Sequence, residues 1–157
     1  MSYYLVLKYL HVIGGVVLLG TGAGIAFFLL IAHRIGKVAA IAVVARIVVI
    51  ADFIFTGTAV VAQPVTGVLL TLEQGFSWRE GWILLSILLY LFAGALWIPV
   101  VFMQMRMRDL AMAAASRGRA LPAEYHRLFK LWFASGFPAL GAVLLIFWLM
   151  IAKPALF

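Results

Sequence analysis

Of the 157 residues, 67% are hydrophobic and 11% charged, with 14 Gly, no Cys and a formal net charge of +7. A soluble domain averages about 45–50% apolar and about 25% charged residues, and one near 150 residues buries only about 70% of its unfolded surface. A water-soluble single domain is therefore excluded, and lipid has to serve as solvent. The absence of cysteine also removes disulfide scaffolds, thiolate metal sites and c-type haem attachment.

The first apolar stretch runs from Tyr3 to Ala32 and exceeds the about 20 residues that a membrane span requires. It is too long and too often broken by glycine for a cleaved secretory signal, so it is expected to stay in the mature chain. Lys8 and His11 lie three residues apart and share a helical face. Lys8 can snorkel to the headgroups. His11 admits two readings: a neutral imidazole bonded to a neighbouring helix, or a haem or metal ligand. Gly20 and Gly24 form a G-x-x-x-G spacing that favours close helix packing. Gly15 and Gly22 lie four and eleven residues beyond His11 on its own face, a row that would accept a flat ring beside an axial ligand.

Residues 33–45 are assigned to a loop. If the apolar run Val38–Ala45 belonged to the next span, that helix would reach roughly 50 Å, against a hydrocarbon core of about 30 Å. The second span is then placed at 46–72. It contains Asp52, a carboxylate that is costly in lipid unless paired; the expected partner is Arg106, Arg127 or Lys130, with proton handling as the other reading. Further along, Gln63-Pro64-Val65-Thr66-Gly67 interrupts the span. Pro64 has no N–H and leaves the carbonyl of Val60 without its helical donor, and the Thr66 hydroxyl and Gln63 amide are candidates to satisfy exposed backbone.

The third span is placed at 81–103 and carries Ser86 and Pro99. Its helix is expected to continue through the Ala-rich segment Met105–Ser116. Arg117-Gly118-Arg119 breaks it, and Pro122 suits the first turn of the next helix. The fourth span covers 131–152, with Pro138 near its middle and Met150 near its end, leaving 104–130 as the second long loop. Four spans use nearly the whole of 1–157, so the chain reads as a single all-α membrane domain, a four-helix bundle.

Nine of the twelve basic residues lie at one face, eight in the two loops and Arg46 at the start of the second span, and only Lys8, Arg79 and Lys153 lie at the other end. By the positive-inside rule the loops are cytoplasmic and both termini extracytoplasmic, as in a multi-pass protein of a bacterial-type inner membrane. The basic residues sit beside spans, where they serve anionic membrane lipid; no nucleic-acid partner is implied. Trp78, Trp82, Trp132 and Trp148 fall near span ends and read as an aromatic belt. His33 and His126, with Glu124 nearby, are either solvated interfacial side chains or a metal-binding group. His11 and His33 are 22 residues apart on one helix, roughly 33 Å, and cannot share an ion.

The segments Lys8-Tyr9-Leu10-His11-Val12-Ile13 and Ile31-Ala32-His33-Arg34, with Tyr125-His126-Arg127-Leu128-Phe129 and Lys153-Pro154, resemble the HemJ family of membrane-embedded, haem-b-associated protoporphyrinogen oxidases. The chain is more similar still to a family of predicted integral membrane proteins of unknown function. That similarity rests on Leu7–His11, Gly20–Phe28, Gln63–Gly67 and Tyr125–Phe129. CopD-type copper-resistance proteins are more distant in appearance. The HemJ pattern has a lysine in the third span where this chain has Ser86, and Asn-Glu before the last proline where it has Ser135-Gly136. The resemblance thus implies the scaffold and a porphyrin-sized site around His11 more than the oxidase reaction.

Three functions follow as expectations. The first is binding of haem b or a porphyrin through His11, lined by Gly15 and Gly22, with Met150 or a second chain's His11 as the sixth ligand; if catalytic, such a protein would be a HemJ-like oxidoreductase. The second is a non-catalytic scaffold or assembly subunit, working as a homodimer or within a larger membrane complex. The third is a small transporter or metal-handling protein using Asp52, Gln63 and Thr66. No nucleophile elbow, P-loop, zincin or dinucleotide motif is present.

Overall fold

A computed structural model describes residues 3–156, and helices account for nearly all of them. In chain order these are α1 (Tyr3–Ile35), α2 (Val38–Ala51), a π-helical turn (Asp52–Thr56), α3 (Gly57–Glu73), α4 (Gly81–Ser116) and α5 (Ala123–Ala152). Among the described residues there is no strand. Because α2, the π turn and α3 run on without a break, the described residues make four helices long and apolar enough to cross a membrane. This is the four-helix, all-α architecture that the composition requires.

Each reversal is made where the sequence allows positive φ: Gly36 follows α1 at φ +74°, Gly75 follows α3 at +65°, and Gly118 follows α4 at +58°. Glycine reaches this region without a Cβ clash. Pro122 sits at the N-cap of α5 with extended backbone, one position before the helical residue it was expected to be. The expected continuation of the third helix through Ser116 is present.

The loop assigned to 33–45 needs correction, since only Gly36 and Lys37 lie between α1 and α2 and residues 38–45 are helical. Span length was a poor guide here because a helix can overhang the membrane when a neighbour overhangs with it. Val38–Glu73 and α4 are each 36 residues long. At 1.5 Å per residue that is about 54 Å, and α2 packs on α4, with Ile41, Ala45 and Val48 sharing a core with Met107 and Ala111.

The largest core lies at this basic end. Ile25, Leu29 and Ala32 of α1 meet Ile41, Ala45 and Val48 of α2, Met107 and Ala111 of α4, and Tyr125, Phe129 and Trp132 of α5. A smaller cluster of Trp82, Ile83 and Leu149 closes the opposite end, with Met150 against it. Between the two, α1 packs mainly on α3, and α4 on α5. Large apolar side chains such as Phe27, Phe53, Leu88 and Phe137 point outward, as lipid-facing residues do. Trp82 and Trp132 correct the belt reading: at 6% and 5% exposed they belong to the two cores, while Trp78 and Trp148 do face outward.

Candidate functional site

The α1–α3 contact gathers three of the polar residues singled out in the sequence. Pro64 cannot donate to Val60, and the freed carbonyl accepts a hydrogen bond from the Tyr90 hydroxyl of α4. Thr66, one turn beyond Ala62, turns its hydroxyl back onto the Ala62 carbonyl at 2.7 Å and toward the Gln63 carbonyl at 3.2 Å. The same oxygen lies 2.8 Å from His11 Nδ1. A hydroxyl has one proton, and here the backbone takes it. With the hydroxyl proton assigned to the Ala62 carbonyl, Thr66 accepts from His11 Nδ1–H, the tautomer that leaves the Nε2 lone pair free.

The main chain of α1 is pinned beside this ring. Gln63 Nε2 donates to the His11 carbonyl at 2.7 Å. That reach depends on Gly14, where a Cβ would stand 2.3 Å from Gln63 Nε2. Gly67 lies below the imidazole, its missing Cβ position 3.4 Å from His11 Cε1. The motif Gln63-Pro64-Val65-Thr66-Gly67 thus places one amide, one hydroxyl and one bare backbone position around His11. His11 is half-buried, and among the described residues Nε2 has no hydrogen-bond partner and is not among the buried unpartnered atoms.

Other residues expected at this site lie elsewhere. Gly15 is buried, and a Cβ there would come within 3.0 Å of the Phe147 ring, so the room beside it is filled by α5. Gly22 is exposed with nothing within 4 Å of a Cβ position. Met150 packs against the Trp82–Leu149 cluster. Lys8 is exposed, its Nζ 5.6 Å from the centre of the Tyr4 ring. Ser86 is buried and donates to the Trp82 carbonyl of its own helix at 2.7 Å.

Asp52 forms a separate centre. It is 4% exposed and opens the π-helical turn, a feature that recurs at functional positions. Among the described residues no cation pairs with it, contrary to the expected partners. Arg106 is held by Glu124 at 2.8 and 3.0 Å, and neither Arg127 nor Lys130 forms an ion pair among the described residues. Its carboxyl oxygens are met instead by neutral N–H groups. Trp97 Nε1 lies 3.2 Å from Oδ2 and 3.4 Å from Oδ1. With the Gln104 amide oriented to satisfy both neighbours, its nitrogen donates to Asp52 Oδ2 at 3.1 Å and its oxygen accepts from Trp132 Nε1 at 3.1 Å. Tyr90, Trp97, Gln104 and Trp132 were not singled out as site residues. The available signal was that each carries a polar atom inside an apolar run, which in lipid demands a partner.

At the basic end, His33 and His126 approach within 5.6 Å between ring centres. Glu124 belongs to Arg106, and no group of three or more metal-ligating side chains occurs among the described residues.

Residues 5–154 match the family described as "Predicted integral membrane protein (DUF2269)". Neither a curated protein nor a solved structure matches the chain.

Proposed function

We propose, from the premise that this chain belongs to the family of predicted integral membrane proteins (DUF2269), that it binds haem b or a porphyrin in the membrane through His11. The observation that carries the reading is the 2.8 Å contact of His11 Nδ1 with the Thr66 hydroxyl, whose proton the Ala62 carbonyl at 2.7 Å can take. An imidazole ligates iron through a deprotonated ring nitrogen, and the hydrogen bond made by the other nitrogen fixes tautomer, ring orientation and basicity. Thr66 supplies that second bond and leaves Nε2 as the donor. The donor chemistry of the site therefore fits an axial ligand.

In this reading Thr66 sets the imidazole tautomer, Gln63 fixes the height of α1 against α3, and Gly67 admits the ring edge. A bound haem would supply one-electron exchange at an iron whose potential depends on its axial donor and the polarity around it. Met150, engaged in its own cluster, and Gly15, filled by Phe147, have no part. The test is the absorption spectrum of protein purified in mild detergent from haem-replete cells. A Soret band is expected in the wild type, lost in His11→Ala, and shifted or weakened in Thr66→Val. A colourless protein that takes up no added haem, or a Soret band indifferent to His11→Ala, would refute the reading.

A second reading rests on a different surface. Gly20 and Gly22 have nothing within 4 Å of their Cβ positions, so the small-residue stripe of α1 is open to a helix of a second copy or of a membrane partner. Gly20→Ile would abolish cross-linking in membranes if that stripe is an interface, whereas His11→Ala would leave it unchanged.

A further inference from the structure

Three buried side-chain polar atoms lack any hydrogen-bond partner among the described residues: His33 Nδ1, Tyr125 Oη and Thr56 Oγ1. Two of the three occur together at the basic end of the bundle, where the His33 and Tyr125 rings stack with centres 5.8 Å apart. Orphaned buried polar atoms are uncommon and call for a cause. Beside them, His33 and His126 line one cavity of about 250 Å³ with Gly36, Ile41 and Leu121. His33 is held flat against Phe129, ring centres 3.8 Å apart and planes 11° from parallel, so its position is fixed by packing. The His126 ring stands at 68° to it on an exposed part of α5.

We propose that His33 and His126 form a binding site for one first-row divalent metal ion, open to the aqueous phase at the basic end of the bundle. A metal–imidazole bond is about 2.0–2.1 Å, which puts a ring centre about 3.2 Å from the ion. Two rings 5.6 Å apart then subtend an angle of about 120° at an ion equidistant from both, between the tetrahedral and linear limits. The donor set selects the ion. Imidazole suits zinc, copper and nickel, whereas magnesium and calcium require oxygen donors. The nearest carboxylate in sequence, Glu124, is engaged by Arg106. The remaining coordination positions fall to water or a small anion, which the exposed guanidinium groups of Arg34 and Arg127, each next in sequence to one of the histidines, would favour. The site is independent of His11, which lies roughly 33 Å along α1.

The test uses full-length protein without a polyhistidine tag, in mild detergent, titrated with Cu²⁺, the tightest binder of the series. One Cu²⁺ per chain is expected, with an electron-paramagnetic-resonance pattern from two nitrogen donors and displacement by excess Zn²⁺. His126→Ala, at an exposed position, leaves the fold intact and should weaken binding by at least tenfold. His33→Gln should do the same, while His11→Ala leaves the affinity unchanged. Absence of a stoichiometric site, or Cu²⁺ binding indifferent to both His33→Gln and His126→Ala, would overturn the assignment.

Discussion

The contact between Tyr90 and the Val60 carbonyl follows from a missing atom in the sequence, and this makes it testable by a double-mutant cycle. Pro64 has no N–H, so Val60 loses its helical donor; the Tyr90 hydroxyl supplies another. Removing that hydroxyl with Tyr90→Phe keeps the ring and strands a carbonyl in a region without water. Leaving a buried acceptor unsatisfied costs about 1–3 kcal/mol, and interhelical hydrogen bonds in membranes fall toward the lower part of that range, about 0.6–1.7 kcal/mol. A loss of about 1–1.5 kcal/mol is therefore expected for Tyr90→Phe. In a Pro64→Ala background the restored amide can bond Val60 itself, and the same substitution should cost less than about 0.5 kcal/mol. The coupling between the two positions is then about 1 kcal/mol, with the sign of redundancy. Unfolding of the four proteins by sodium dodecyl sulfate in a mild non-ionic detergent, followed by far-ultraviolet circular dichroism, measures each corner. Equal losses in both backgrounds would show that Tyr90 contributes only through its ring, and the backbone argument would be wrong.

The glycines of α1 predict opposite signs. Gly14→Ala places a methyl 2.3 Å from Gln63 Nε2, displacing an amide that donates to His11, and should lose about 1–2 kcal/mol in the same unfolding assay. Gly20→Ala meets nothing within 4 Å and should gain about 0.5–1 kcal/mol through helix propensity in a monomeric detergent preparation. Trp97→Phe withdraws an N–H from the buried Asp52 carboxyl group and should lose about 1–3 kcal/mol, the cost of leaving a buried acceptor short of a donor. Asp52→Asn combined with Trp97→Phe should lose less than the two single changes added together, because both act on one hydrogen bond.

The features legible in the sequence were those carried by apolar length or by one residue's covalent chemistry. Four helical spans follow from composition because a barrel strand alternates apolar and polar residues, whereas a continuous apolar run of about 20 residues satisfies its backbone in lipid as a helix. The orphaned Val60 carbonyl follows from Pro64 alone. The identity of its new donor does not, since Tyr90 lies 30 residues away and faces α3 only through the rotation of α4. Asp52 shows the same limit. Its burial was expected, yet the choice between a cation and neutral donors depends on which side chains of α4 share its depth. Trp97 and Gln104 are seven residues apart, two turns on one face, and they fill the place expected for Arg106. The extent of α2 was missed because length was set against membrane thickness, whereas the adjoining helices overhang together and bury Ile41, Ala45 and Met107 among themselves.

The π-helical turn ties the two polar centres to one structural cause. A π turn holds about one residue more than an α turn, so each side chain beyond Thr56 is rotated by roughly 100° from where an uninterrupted α-helix would carry it. Before the turn, α2 faces α4 and α1, with Ile41, Ala45 and Val48 buried between them. After the turn, α3 faces α1, and Thr66 and Gln63 arrive at His11. Asp52 begins the change of face and is the residue that the N–H groups of Trp97 and Gln104 grip. Its carboxylate gives α4 a polar hold at the level where the helix parts from it, while the added residue turns Gln63-Pro64-Val65-Thr66-Gly67 toward α1. Deleting one residue of 53–55 would remove that rotation and aim Thr66 away from His11. On this account the contact between Thr66 and His11 depends on a backbone irregularity ten to fourteen residues before Thr66, and on the Asp52 side chain that anchors it.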